Sequence, residues 1–111
     1  MATMNILSIS GISGMTVDAY IYQGNNIWNG YYFAAYDSAP WSDFAIPMSE
    51  QVPSGFYECL FPKLIPAGTN NFVVFKQRNG EDPAPSDFTI YQGPIGWDGV
   101  GITTTGTVLG G

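Results

Sequence analysis

Residues 16–23 alternate strictly: Val17, Ala19 and Ile21 fall on one side, Thr16, Asp18, Tyr20 and Tyr22 on the other. A period of two is that of a β-strand with two distinct faces. Gly24-Asn25-Asn26 then supplies a turn, and strand-like residues resume over 27–36, which predicts a hairpin. Asn29-Gly30 is itself a turn dipeptide, so the return strand breaks there and restarts at Tyr31. The centre of the chain is residues 55–77. Over 56–61, Tyr57, Cys59 and Phe61 point one way and Glu58 the other, a strand with one wet face closed by Pro62. Over 71–77, the run Phe72-Val73-Val74-Phe75 is apolar on both sides until Lys76, so this strand belongs in mid-sheet beneath another layer. Pro62, Pro66, Gly68 and Asn70-Asn71 form the turn between them.

Weaker elements surround this centre. Residues 41–43 make one helical turn at most, and 44–48 read as a short strand that Pro47 confines to an edge. Residues 78–86, with Asn79-Gly80, Pro83 and Pro85, form an exposed loop. A strand over 87–92 is ended by Gly93-Pro94, with a brief pairing over 95–97. Ile6, Leu7 and Ile9 form a short strand, an arm that docks on a neighbour or a frayed terminus, and residues 99–111 are a Gly/Thr-rich tail. No helical period persists over several turns. The pattern predicts an all-β fold: one antiparallel β-sandwich, Ig-like or jelly-roll-like, of about six to eight short strands, with a small closed barrel as the alternative. The expected division is an arm over 1–14, the sandwich over 15–99 and a tail over 100–111.

With 111 residues the chain holds one domain. Aromatic residues make up 15% and charged residues 11%, so a monomer leaves much uncharged, partly aromatic surface in water, which points to an assembled protein. Net charge is −6 and only Lys63, Lys76 and Arg78 are basic, too few for a phosphate-binding stripe or an anionic membrane surface. The single cysteine, Cys59, forms no internal disulfide. The first residues lack the basic start and apolar run of a signal peptide, and no stretch nears the roughly 20 apolar residues of a membrane span.

Catalytic signals are sparse. There is no histidine, the commonest general base and metal ligand. Cys59, mid-strand on the apolar face, reads as a packed core thiol. Glu81, Asp82 and Asp87 are separated by Pro83 and Pro85 and match no calcium loop, so they read as a solvated loop; Asp98 reads as a turn cap. No catalytic, metal or cofactor residue is expected. Aromatics are the remaining hint: Tyr20 and Tyr22 share a face, with Tyr31, Tyr32, Tyr36 and Trp41 nearby. Such a row serves as a second core layer, a protein interface or a sugar platform. Sugar binding needs accompanying polar groups, which sequence alone does not place. The candidate interface set is Ile6, Leu7, Ile9, Tyr20, Tyr22, Tyr31, Tyr32, Trp41, Ile102, Val108 and Leu109.

Several segments together resemble a small β-sandwich module of tailed-bacteriophage virion proteins. They are Trp28-Asn29-Gly30; Ala45-Ile46-Pro47-Met48 with Glu50-Gln51; Gly55-Phe56-Tyr57 with Phe61-Pro62; Ile65-Pro66-Ala67-Gly68; and Trp97-Asp98-Gly99. Lys63-Leu64 before Ile65-Pro66 departs from the pattern by lengthening a turn. A free-standing acidic module of this kind is similar to capsid decoration, or cement, proteins. The resemblance implies a non-enzymatic virion protein, made in the host cytoplasm, that sits on the outer capsid surface. It further implies a homo-oligomer, a trimer by preference, that clamps neighbouring copies of the major capsid protein. The arm and the tail are then candidates to add strands to a neighbour. The alternative is a tail or baseplate module whose exposed aromatics contact host glycans.

Overall fold

In the computed structural model, which describes residues 6–11, 13–36, 40–51, 55–99 and 101–102, the apolar run at Phe72–Phe75 lies at the middle of the larger of two antiparallel sheets. Its strand, β8 (Gly68–Gln77), is flanked by β2 (Val17–Gln23) and β9 (Phe88–Trp97). The β2–β8 register pairs Ala19 with Phe75, Ile21 with Val73 and Tyr20 with Val74. β3 (Asn26–Trp28) and β4 (Phe33–Ala35) extend the sheet beyond β2 in the order β4-β3-β2-β8-β9. The short β5 (Ile46–Pro47) pairs with the start of β2, and its proline sits on an edge as expected. The second sheet has three strands in the order β1-β7-β6: β1 (Ile6–Ser10), β7 (Phe56–Leu60) and β6 (Ser49–Gln51). The fold is therefore an all-β, two-layer sandwich, not a closed barrel.

Alternation decides what lies between the layers. Leu7, Ile9 and Tyr57 of the small sheet meet Val17, Ile21, Val73 and Phe75 of the large one, all buried. Trp97 closes one end, stacked on Phe61 with ring centroids 4.4 Å apart. Its indole N–H donates to the Ile65 carbonyl at 2.7 Å, so this buried ring leaves no donor unpaired. A smaller apolar layer lies on the outer face of the large sheet. There a 3₁₀ turn, Trp41–Phe44, lays Phe44 against Tyr20, Ile27 and Val74.

Four expectations change. Of the three readings of the opening segment, the structure takes the strand: Ile6–Ser10 pairs with β7 within the same chain, because Leu7 and Ile9 alternate into the core. The boundary drawn after residue 14 thus falls inside the sandwich. Nine strands appear among the described residues, above the expected range, because 27–36 divides and 46–51 yields two short strands. The return strand restarts at Phe33 rather than Tyr31, since Asn29 holds the intervening residues in a turn. Gly93-Pro94 does not end its strand. β9 runs through both, flanked only on one side by β8, where an edge position tolerates proline. Glycine at 93 leaves room for the Tyr91 hydroxyl, which a Cβ there would strike.

Candidate functional site

The expected interface residues separate by burial. Leu7, Ile9 and Tyr20 are buried and Ile6 is half-buried, which corrects the expectation of an exposed arm and an exposed Tyr20. Alternation sets two faces apart without saying what covers each; the Trp41–Phe44 turn covers the face bearing Tyr20, which makes Tyr20 part of a second core layer. Tyr22 and Trp41 are half-buried, with the Trp41 indole N–H donating to the Tyr20 hydroxyl at 3.0 Å. Burial, and secondarily the Asp18 carboxylate, push the Tyr20 hydroxyl well above its ordinary pKa. Ile102 is half-buried and bridges to Trp97, so the start of the expected tail joins the fold. Val108 and Leu109 lie outside the described residues.

Tyr31 and Tyr32 are the exposed members, at 80% and 63%. They sit on the β3–β4 turn, whose backbone is braced locally. The Asn29 side-chain oxygen accepts the backbone N–H of Tyr31 at 2.9 Å and of Tyr32 at 3.0 Å, and the Asn29 N–H donates to the Tyr32 carbonyl. Gly30 takes φ 100°, a conformation that a side chain would strain. Two large rings are thereby held out from a fixed turn, with Tyr36 nearby, half-exposed and packed edge-on against Trp41.

Behind this surface lies a charged cluster on the outer face of the large sheet. Asp18 is fully buried, and Arg78 meets it with two N–H donors, Nε at 2.7 Å and Nη2 at 3.0 Å. That bond raises the Arg78 pKa further. Lys76 donates to the Pro85 carbonyl at 2.8 Å and lies 5.4 Å from the centre of the Trp41 ring; burial lowers its pKa. Asp87 is buried and accepts the N–H of Asn79 and of Ala84, so it braces the 78–87 loop, while Glu81 and Asp82 are exposed as expected. These contacts bind loop to sheet and present no acid/base pair.

In the small sheet Glu50 accepts from the Ser13 hydroxyl and from the N–H groups of Gly14 and Gly55, which holds its carboxyl below the usual value of 4.5. Sequence gave no signal for this clamp, because its partners lie up to 37 residues away. Cys59 packs against the main core, and burial pushes its thiol up to about 12, which keeps it protonated and unreactive at neutral pH. Among the described residues, no three His, Cys, Asp or Glu side chains gather as metal ligands. Asp98 accepts the N–H of Gly101 at 2.7 Å, the turn cap its position suggests.

No family model, no curated protein and no solved structure matches this chain.

Proposed function

We propose that the protein is a non-enzymatic structural component of a tailed-phage virion. It binds the outer surface of the capsid and stabilises the mature shell by clamping neighbouring subunits of the major capsid protein, as a homo-oligomer with a trimer favoured. The observation that carries this reading is the Tyr31–Tyr32 turn. Two exposed tyrosines on an Asn29-braced turn present large apolar area with little conformational freedom left to lose on contact. Low charge and the resemblance of five sequence segments to a virion β-sandwich module support the same assignment. The mechanism is mass action: a protein that binds only the expanded lattice stabilises that lattice by its binding free energy, summed over many copies.

Co-sedimentation with capsids stripped of the protein tests the reading, with solution mass measured in parallel. Saturable binding at a fixed ratio to the major capsid protein is expected. A Y31S/Y32S variant should stay within about 0.5 kcal/mol of the parent in stability, since both rings are exposed, yet lose capsid binding. A folded protein that ignores capsids would overturn the proposal and favour a tail or baseplate module.

A further inference from the structure

The outer face of the large sheet is covered on one half only. The Trp41–Phe44 turn lies over Tyr20, Ile27 and Val74, while the β8–β9 half stays open as a groove of about 340 Å³. Strand register builds the groove in rows. Tyr22, Phe72 and Pro94 stand side by side, then Tyr20, Val74 and Gln92, then Asp18, Lys76 and Thr89. Phe72, 36% exposed, gives an aromatic floor beside Val74. Around it stand the Tyr22 and Thr89 hydroxyls and the Gln92 amide, none of which has a hydrogen-bond partner among the described residues. Gly24 leaves the Tyr22 end unobstructed, since nothing lies within 4 Å of where its Cβ would be.

This chemistry selects among ligands. The volume falls in the small-ligand range of roughly 300–1,000 Å³. A wholly apolar ligand would strip water from three polar groups and give them no partner. An anion would meet a protein of net charge −6, and the groove's one cation, Lys76, already donates to Pro85 and lies against Trp41. A neutral polyhydroxylated ring fits both parts: an apolar C–H face for the phenyl ring and hydroxyls for the rim. We propose that the groove binds a neutral oligosaccharide, with one hexose unit stacked on Phe72 and hydrogen-bonded by Tyr22 and Gln92 and the next unit hydrogen-bonded by Thr89. The site shares no residue with the Tyr31–Tyr32 turn, so it stands or falls apart from the capsid assignment.

The test is an NMR titration of the ¹⁵N-labelled protein with neutral oligosaccharides of glucose, galactose, mannose and N-acetylglucosamine, with inorganic phosphate as a control. At least one saccharide should give saturable shifts confined to Tyr22, Phe72, Thr89 and Gln92, with a Kd of about 1 mM. Phe72→Ala should weaken binding about tenfold and Gln92→Ala about threefold, with the rest of the spectrum unchanged. Y31S/Y32S should bind as the parent does. Flat titrations for every neutral saccharide up to about 20 mM, ~20 times the expected Kd, would overturn the proposal. So would shifts produced by phosphate alone, or binding that survives both groove substitutions.

Discussion

Arg78→Met tests how the charged cluster holds the loop to the sheet. The Asp18 carboxylate has no exposed surface, and Arg78, its salt-bridge partner, is 19% exposed. Methionine keeps the unbranched stem and removes the guanidinium, leaving a buried carboxylate without its countercharge. Breaking such a pair costs about 3–5 kcal/mol; the partial exposure of Arg78 places the estimate near the lower limit, about 3 kcal/mol. For a domain of this size that corresponds to a fall in Tm of ~12 °C, at about 4 °C per kcal/mol. The informative comparison is the double variant D18L/R78M, which removes both charges and should return to within about 1 kcal/mol of the parent. Both variants lose the tether from Arg78 to the Glu81 carbonyl, so the comparison isolates the ion pair. Urea unfolding followed by tryptophan fluorescence, with unchanged slope, reads the difference. The reasoning fails if R78M lies within about 1 kcal/mol of the parent, or if the double variant is no more stable than R78M.

Two further substitutions probe the remaining contacts. Trp97→Phe leaves the buried Ile65 carbonyl without its donor and opens a void beside Phe61, which should cost about 3 kcal/mol in the same unfolding assay; a loss under ~1 kcal/mol would show that the indole bond is dispensable. Glu50 carries a carboxyl whose folded pKa is depressed, so its stabilisation is present above about 4.5 and is lost as pH falls through the lower folded value. Glu50→Gln should therefore lower Tm at pH 7 and converge with the parent towards pH 2, and a constant difference across that range would refute the clamp.

Strands were legible where each had a local pattern. The alternation of Val17, Ala19 and Ile21 and the apolar run at Phe72–Phe75 led directly to β2 and β8, because burial on a pleated sheet imposes a period of two. The choice of the core layer for Tyr20 was not legible for a physical reason: its cover comes from Trp41 and Phe44 on a single 3₁₀ turn, which has no period to read. Glu50 could not be found in advance, since a carboxylate clamp between segments 36 residues apart leaves no neighbouring signal. Gly93-Pro94 carried the ordinary mark of a strand end, and only the edge position of β9 lets the strand pass through it. The tyrosines of the β3–β4 turn were within reach because Asn29-Gly30 announces a turn and aromatic residues follow it. The groove rim was not, because Tyr22 lies on β2 and Thr89 and Gln92 on β9, and they meet across β8 only through register.

Successive positions on β8 separate stability from recognition. Val73 and Phe75 point between the sheets and have no exposed surface, so substitutions there act on folding. Phe72 points the other way into the groove, where its ring is partly open and changes there act on what the surface can hold. The same division explains why Tyr20 and Tyr22, two residues apart on β2, differ in role. Both face outward, but Tyr20 is fully buried in the cluster with Phe44, whereas Tyr22 packs against the edge of that cluster and stays half-buried. A sheet covered across its whole outer face would have no groove. One left bare would expose Tyr20, Val74 and Ile27 as a sticky apolar patch. Partial cover keeps the apolar part dry and leaves the part edged by hydroxyl and amide groups open, the arrangement a neutral polar ligand requires.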